Sequence, residues 1–268
     1  MDHLAEELER AAIEDLHQAA SSDLRSSLGI SGQTLGSAFV SVASTLPASA
    51  IVINRAVGIG LRKPATEETI QQIIDAYQSM GVDRYFLQIH PAAEPSTIST
   101  WLHDRGLERA RGWQKFSRGR EAVPTARTDL TIREIGTDNG ADFAAILSDA
   151  FDLGDRARPW LSQFPARDRW HVFMTYDGAV PAGTGSVFID GEYAWIDFGA
   201  TAPQFRQRGS QSSLLRHRVQ FALDCGCRQM FTCTGEAVPG DAQHSYSNIL
   251  KAGFKEDYVR ANYAPPKG

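Results

Sequence analysis

The chain has 268 residues, of which 42% are hydrophobic and 22% charged, and its formal net charge is −5. These proportions are typical of a folded globular protein and exclude a disordered or collagen-like chain. The acidic balance argues against a generic nucleic-acid binder, and no apolar run approaches the ~20 residues of a membrane helix. The acidic residues 1–7 are unlike a secretory signal, and three cysteines that cannot all pair favour a reduced, cytoplasmic setting.

The first half of the chain reads as mixed helix and strand. A helix is predicted over residues 3–27, followed by a Gly/Ser-rich hairpin region with strands near 39–42 and 51–53. Apolar residues at helical spacing (Ile70, Ile73, Ile74 and Tyr77) predict a second helix. A strand at 84–89, a helix at 96–105 and a strand at 112–116 complete this half.

The second half repeats that alternation with more strands. A strand at 130–134 and a helix at about 139–151 precede a longer loop at 156–169. Strands are predicted at 170–176, 184–189 and 193–200, with hairpin turns at Asp177-Gly178 and Asp190-Gly191. A helix at about 209–225, a strand at 229–234, a helix at 244–252 and a strand at 257–263 follow.

Both halves end in the order helix, strand, helix, Gly-apolar, strand, with nearly equal spacing. Residues 81–86 match 226–231, and residues 101–107 match 249–254 in character. This order favours a duplication, and a polar, Pro-containing stretch at 119–125 marks the boundary. We therefore expect two mixed α/β domains, 1–122 and 123–268, each with a mostly antiparallel sheet flanked by helices.

The segment between the strand at 193–200 and the next helix carries the clearest chemical signal. Four arginines (Arg206, Arg208, Arg216 and Arg218) and no acid lie between residues 204 and 219. Backbone N–H groups at a helix start lack intrahelical partners and attract anions. Gly209 would let the backbone approach a phosphate closely. The alternative is a solvated basic turn.

Pro203, Arg206 and Gly209 with Leu214-Leu215 resemble the acyl-CoA loop of the GNAT superfamily of N-acyltransferases, whose pattern is Gln/Arg-x-x-Gly-x-Gly/Ala. Gln211 stands where that pattern has Gly or Ala. Ser245, Asn248 and the Ala252-Gly253-Phe254 run resemble a later helix of the same family. The resemblance covers residues 130–263 and implies a tandem GNAT-like protein whose C-terminal domain uses acetyl-CoA.

The resemblance also implies which residues bind the co-substrate. The pyrophosphate would lie against the loop and helix start, which contain Arg206, Gln207, Arg208, Gly209, Ser210, Gln211 and Ser212. A backbone amide within Gly199, Ala200 and Thr201 would polarise the thioester carbonyl. Ser245 and Asn248 would hydrogen-bond the pantetheine arm.

Direct attack by an amine requires a proton acceptor and a proton for the leaving thiolate. Asp197 is the first candidate base and Glu236 the second; the alternative for Asp197 is pairing with an arginine or exposure to solvent. Ile249 occupies the position where the family often has a tyrosine acid, so Tyr246 is the substitute candidate, with packing as its alternative. Trp160 and Trp170 are expected in the core, or in the wall of an acceptor pocket.

The corresponding turn of the first half has the opposite character. Thr66 can cap the helix, and Glu67 and Glu68 place negative charge in its first turn, which would repel a pyrophosphate. The first domain is therefore interpreted as a degenerate GNAT-like copy with a structural or acceptor-lining role.

The sequence predicts an acyltransferase that moves an acetyl group from acetyl-CoA to a small-molecule or peptide amine. The alternatives are a non-catalytic acyl-CoA sensor and a scaffold. No nucleic acid or membrane partner is expected. No metal is expected either, because the spacing of Cys225, Cys227, His217 and His244 is wrong for a closed zinc site. A monomer or a homodimer is expected.

Overall fold

The computed structural model describes residues 3–266 and divides into two compact units. The first unit contains the residues up to 113 together with those from 258 onward, and the second is Gln114–Asp257. Two strands cross this division, β5 (Glu108–Arg118) and β11 (Lys255–Ala264). The predicted boundary between residues 122 and 123 concerns two duplicated domains, and it stays a prediction.

The first unit contains four helices and the strands of one mixed sheet. Its elements are α1 (Leu4–Gln18), α2 (Ser22–Leu28), β1 (Ile30–Leu35), β2 (Ala38–Ala43), β3 (Arg55–Val57), α3 (Glu67–Ser79), β4 (Phe86–Ile89) and α4 (Ile98–Asp104). The strand order is β1-β2-β3-β4-β11. β3 and β4 are parallel, whereas the other pairs are antiparallel.

Two predictions for the first unit are wrong in detail. The predicted helix over 3–27 is two helices, because the Ser21 hydroxyl accepts a hydrogen bond from the Leu24 N–H at 3.3 Å and starts a new one. Residues 51–53 form a turn, and the strand begins only at Arg55. The helix carrying Ile70, Ile73, Ile74 and Tyr77 is confirmed, with all four side chains buried.

The second unit follows the predicted order closely. Its elements are β6 (Thr131–Ile135), α5 (Gly140–Ala150), α6 (Arg158–Leu161), β7 (Trp170–Asp177), β8 (Val180–Asp190), β9 (Tyr193–Thr201), α7 (Ser210–Asp224), β10 (Gln229–Gly235) and α8 (His244–Lys251). The strand order is β5-β10-β9-β8-β7-β6. The loop predicted at 156–169 contains α6 and the 3-10 turns Asp155–Ala157 and Phe164–Ala166, which the prediction missed.

From β6 to β10, the sheet of the second unit is antiparallel except at one pair. β6, β7, β8 and β9 pair antiparallel with their neighbours, whereas β9 and β10 run parallel. The core on one sheet face joins Val187, Ile196 and Met230 to Leu214 and Val219 of α7. The predicted class, mixed α/β with mostly antiparallel pairing, is confirmed.

Candidate functional site

A bulge interrupts β9 near its carboxyl end. The pairing of β8 with β9 shifts between Thr184 and Ser186, and Phe198 adopts a left-handed φ of 53°. The Asp197 carboxylate accepts hydrogen bonds from the Trp195 indole N–H at 2.9 Å and from the Phe198 backbone N–H at 2.7 Å. Asp197 therefore fixes the backbone of the bulge at the place where the sequence predicted a catalytic base.

The parallel pair β9 and β10 separates along its length. Register partners are Gln229 with Tyr193, Met230 with Ala194 and Phe231 with Trp195. The hydroxyl of Thr232 then donates to the Ile196 carbonyl at 2.8 Å. The register between the two strands ends at Trp195 and Phe231, whereas β9 runs on to Thr201 and β10 to Gly235.

Helix α7 follows β9 after the turn at residues 202–209 and has an open N-terminus. Gly209 precedes the helix with φ 78° and ψ 7°, no side chain caps it, and its first turn contains no acid. Within residues 3–266, the backbone N–H groups of Ser210, Gln211 and Ser212 donate no hydrogen bond. The helix dipole adds partial positive charge, so this end attracts an anion.

Gly209 is required by both its conformation and its surroundings. A Cβ at this position would lie 2.2 Å from the Arg127 carbonyl oxygen. Its positive φ is also strained for a residue with a side chain. Gln207, two residues earlier, has a φ of 66°. The backbone at Arg127 therefore leaves no room for a side chain at residue 209 of this turn.

The four arginines of the basic segment have different environments. Arg206 is exposed, and its side chain makes no hydrogen bond or ion pair with any residue from 3 to 266. Arg208 donates to the carboxylates of Asp129 and Asp177, the latter at 2.7 Å, and lowers the pKa of both. Arg208 is thus neutralised within the protein, and Arg206 remains for an external anion.

The other two arginines bind backbone carbonyls. Arg216 donates to the carbonyls of Ser212 at 2.9 Å and Lys251 at 3.0 Å. Arg218 is buried and donates to the carbonyls of Ser186 at 3.1 Å and Asp197 at 2.7 Å. Burial lowers the pKa of Arg218 to about 10. Arg218 therefore supports the bulge, a role that the sequence analysis missed.

The structure brings most of the predicted co-substrate residues together. The Gln211 amide donates to the carbonyls of Ala200 and Thr184, at 2.5 and 3.1 Å. A Cβ on Gly199 would lie 2.6 Å from the Gln211 side-chain oxygen. The side chain of Gln211 therefore ties the helix start to the sheet, and its backbone N–H remains for a ligand.

The hydroxyl groups near the helix start are partly engaged. Ser210 is buried and shares a 2.8 Å hydrogen bond with Thr175. Ser212 donates to the Asn248 side-chain oxygen at 3.0 Å, which joins α7 to α8. Thr201 has a buried hydroxyl without a partner in the described chain, and Ser245 is exposed one turn before Asn248.

The two remaining acid–base candidates lie on different elements. Glu236 is half-buried and directly follows β10, on the side where β9 and β10 separate. Tyr246 lies on α8, and its hydroxyl donates to Glu256. Burial and this hydrogen bond raise the pKa of Tyr246 to about 12.

The two tryptophans of the loop region belong to the core. Trp160 is 0% exposed and Trp170 is 3% exposed. The ring of Trp170 lies 5.7 Å from that of Phe198, so it packs beneath the bulge. Among residues 3–266, no cluster of three His, Cys, Asp or Glu side chains has the geometry of a metal site. None of the helices in that range has the length and hydropathy to span a membrane.

Comparison with known proteins assigns the second half of the chain. A sequence model described as the Acetyltransferase (GNAT) family matches residues 141–247. No curated protein matches the chain. A GCN5-related N-acetyltransferase from Kribbella flavida has a similar fold, with a TM-score of 0.67 and 14% identity over 100% of this chain and 98% of that one.

Two further solved structures share the fold. A GCN5-related N-acetyltransferase from Sphaerobacter thermophilus has a TM-score of 0.59 and 17% identity, over 78% of this chain and 71% of that one. A tandem GNAT protein from the clavulanic acid biosynthesis pathway has a TM-score of 0.55 and 16% identity, over 80% and 76%. Residues 141–247 thus match the GNAT family model, and the solved structures show the same fold.

Proposed function

We propose that the protein transfers an acetyl group from acetyl-CoA to an amine, and that the C-terminal half performs this reaction. The observation that carries the proposal is the open N-terminus of α7, which has no side-chain cap and no acid in its first turn. The match of residues 141–247 to the GNAT family model supports acyl transfer in general. What we propose beyond this is that acetyl-CoA is the donor, that an amine is the acceptor and that the C-terminal half carries the reaction.

The residues present fit the pyrophosphate of acetyl-CoA. The N–H groups of Ser210, Gln211 and Ser212 would donate to its oxygens, and Arg206 would add a charge-assisted hydrogen bond. Gly209 leaves the backbone uncovered at this point. Asn248 and Ser245 on α8 would bind the pantetheine arm.

The thioester would lie where β9 and β10 separate. A backbone N–H within Gly199–Thr201 would stabilise the oxygen of the attacked carbonyl. The amine nitrogen forms the C–N bond as the C–S bond breaks, and the thiolate leaves with a proton from Tyr246 or from solvent. Positioning of amine and thioester supplies much of the rate enhancement.

The protonated amine must lose one proton before its nitrogen can attack, and the nitrogen loses a second proton as the amide forms. We assign the first proton to Asp197, directly or through a water molecule, and keep Glu236 as the second candidate; the second proton passes to solvent. A carboxylate accepts up to about four hydrogen bonds, so the two N–H donors on Asp197 do not by themselves fill it. They fix the orientation of the carboxylate.

A non-catalytic acyl-CoA sensor is the second candidate function. The sensor is favoured because two acid–base candidates already make hydrogen bonds within the protein. Asp197 accepts from the Phe198 N–H in the bulge, and Tyr246 donates to Glu256. A sensor needs the helix N-terminus and the strand opening but no proton acceptor. The first half, interpreted as a degenerate copy, would serve the fold in either case.

A screen of amines with detection of released thiol separates these functions. If the protein is an enzyme, at least one amine should raise the rate of CoA release well above the rate of acetyl-CoA hydrolysis. Acetyl-CoA binding without thiol release across polyamines, amino acids, aminoglycosides and peptide N-termini would favour the sensor. Absence of acetyl-CoA binding would contradict both.

A further inference from the structure

Lys115 of β5 is a fully buried cation that the proposed reaction does not use. The residue is 0% exposed, and its Nζ lies 4.2 Å from the centroid of the Trp195 ring. A buried charge is costly unless another group stabilises it, and the face of an aromatic ring attracts a cation. The Trp195 ring is therefore one electrostatic partner of Lys115.

Trp195 connects this cation to Asp197. Its indole N–H donates to the Asp197 Oδ2 at 2.9 Å, and the residue is 1% exposed. A cation on the face of the ring draws electron density from the indole nitrogen, so the N–H becomes a stronger donor. A stronger donor favours the ionised carboxylate over the carboxylic acid. The charge of Lys115 therefore acts on Asp197 through Trp195.

A second buried cation acts on Asp197 from the opposite face of the sheet. Trp195 alternates along β9 with Ala194 and Ile196, which pack in the core beside α7, so its ring lies on the other face. Arg218 belongs to α7, is 2% exposed and donates to the Asp197 carbonyl at 2.7 Å. One buried cation on each face of the sheet is therefore linked to Asp197.

The peptide unit between Asp197 and Phe198 carries the effect of Arg218 to the carboxylate. Its carbonyl accepts from Arg218, and its N–H donates to the Asp197 Oδ1 at 2.7 Å. Hydrogen bonds in a chain polarise one another, so the arginine strengthens the bond made by this N–H. Burial lowers the pKa of Arg218 to about 10, and the charge of Asp197 opposes that lowering. Because such coupling is reciprocal, Arg218 favours the ionised form of Asp197.

The contacts of Arg218 fix its guanidinium beside the bulge. Its Nε donates to the Leu214 carbonyl and its Nη1 to the Ser186 carbonyl, both at 3.1 Å. A Cβ added to Gly185 would lie 2.5 Å from the guanidinium carbon, and one added to Gly199 would lie 3.5 Å from Nη2. Gly185 therefore leaves the room that the buried guanidinium occupies.

Two further carboxylates of the second unit oppose these cations. Burial raises the pKa of Asp257, whereas a hydrogen bond from Ser117 and the charge of Lys115 lower it. Asp257 therefore offsets part of the charge of Lys115. Glu236 directly follows β10, and its charge would disfavour ionisation of Asp197.

We propose that Lys115, Trp195 and Arg218 are positioning residues that hold the Asp197 carboxylate ionised and in one orientation, so that it can accept the proton of the amine. The inference rests on the proposed function, which assigns that proton to Asp197. A carboxylate must be ionised to act as a base, and a fixed orientation keeps its oxygens within reach of the amine or of one water molecule.

NMR of protein with isotope-labelled aspartate carboxyl carbons measures the titration of Asp197 without any acceptor. The Asp197 signal is the one that Asp197→Asn lacks. Trp195→Phe removes one donor to the carboxylate, so the titration midpoint should rise by about one pH unit. Lys115→Met and Arg218→Met should raise it by smaller amounts. Lys115→Arg keeps a cation and should stay closer to wild type than Lys115→Met.

Trp170→Phe is the matched control. Trp170 is 3% exposed, its ring lies 5.7 Å from that of Phe198, and its indole N–H has no hydrogen-bond partner in the described chain. The substitution removes the same ring atoms next to the same bulge but no donor to a carboxylate. The Asp197 midpoint should therefore stay at the wild-type value.

The pH–rate profile with an amine acceptor gives a second readout. The fall of kcat at low pH should begin about one pH unit higher in Trp195→Phe, with acetyl-CoA affinity unchanged. A purely structural role of Trp195 would lower kcat equally at every pH, which would overturn the inference.

The titration separates failure of the inference from failure of the proposed function. An unchanged midpoint in Trp195→Phe, or an equal rise in Trp170→Phe, would overturn the inference and leave the proposed function standing. If Trp195→Phe does not fold, equal midpoints in Lys115→Met and Lys115→Arg would overturn it instead. Absence of thiol release with every amine would contradict the proposed function and, with it, the part of these residues in a reaction.

Discussion

The two halves of the chain each place a turn between a parallel strand and a helix, and the two turns differ in how the helix start is satisfied. Before α3, the Thr66 hydroxyl accepts a hydrogen bond from the Thr69 N–H at 3.1 Å. Glu67 and Glu68 complement the dipole in the first turn. Before α7, Gly209 provides no side-chain cap and no acid follows it. The first helix start is satisfied by its own residues, whereas the second has no side-chain cap.

The difference shows where a binding function resides in this fold. β3, α3 and β4 follow the same order as β9, α7 and β10, and both strand pairs are parallel. The backbone geometry of a helix start alone therefore does not make a co-substrate site. The capping residue and the charges of the first turn decide whether the N–H groups remain available.

Arg206→Glu should have the largest effect on this contrast. It places an anion beside the expected pyrophosphate at an exposed residue without partners, so acetyl-CoA affinity should fall by at least about 100-fold while folding is unchanged. Calorimetry measures the affinity and circular dichroism the fold. Lys63→Glu in the turn before α3 should change affinity by less than about twofold. Unchanged affinity of Arg206→Glu would remove the loop from the site.

Asp197→Asn should lower kcat by about 100-fold, the usual scale for loss of a general base, with acetyl-CoA affinity nearly unchanged. The deficit should shrink at high pH, because the amine then deprotonates without help. A pH–rate profile of wild type and variant measures this. A deficit that is the same at every pH would show that Asp197 acts only by fixing the bulge. Wild-type turnover of Asp197→Asn at pH 7 would exclude Asp197 as the base, and Glu236→Gln would then be tested in the same way.

Gly209→Ala should weaken acetyl-CoA binding by about tenfold and destabilise the fold by about 1–3 kcal/mol. The added Cβ would lie 2.2 Å from the Arg127 carbonyl oxygen, so the turn must move. Gly226→Ala is the matched control, because Gly226 also has a positive φ of 89° but no atom within 4 Å of an added Cβ. It should cost stability without changing affinity. Equal losses of affinity in both variants would count against a specific role for Gly209.

His17 should produce the smallest effect, confined to stability. Burial lowers its pKa from 6.5 to about 4, so the unfolded chain binds a proton that the folded chain excludes. The contribution of His17 is complete above pH 6.5 and declines as the pH falls toward 4. Between pH 6.5 and 5.5 the loss should be about 1 kcal/mol.

Urea denaturation of His17→Gln across this range measures the effect of His17. The variant should show a shallower pH dependence than wild type, whereas His103→Gln, at an exposed position, should match wild type. Identical slopes for His17→Gln and wild type would contradict the assignment. Acetyl-CoA affinity at pH 7 should be unaffected, since His17 belongs to the first half.

Local patterns in the sequence were enough to predict most helices and strands and the open turn before α7. The spacing of apolar residues predicts α3. The sequence also shows that Gly209 offers no capping side chain and that residues 210–212 include no acid. Ser21 as a cap was missed because the helical pattern continues on both sides of it. The bulge at Phe198 carries no local signal, since a positive φ in a phenylalanine results from packing and from hydrogen bonds to Asp197.

Long-range pairing explains the remaining differences in the site. Arg208 looked like a phosphate ligand because its neighbours in sequence include no acid. Its partners Asp129 and Asp177 lie on distant parts of the chain and become neighbours only in the folded sheet. Gln211 was placed at the phosphate by the resemblance to the acyl-CoA loop, whereas its side-chain amide binds the carbonyls of Thr184 and Ala200.

Hydrogen–deuterium exchange with and without acetyl-CoA tests the contrast between the two turns most directly. Backbone N–H groups that bind the pyrophosphate should exchange more slowly, so peptides covering residues 199–213 should be protected. Peptides covering residues 57–70 should exchange at the same rate in both conditions. Protection in the turn before α3, or no protection in the turn before α7, would contradict the account.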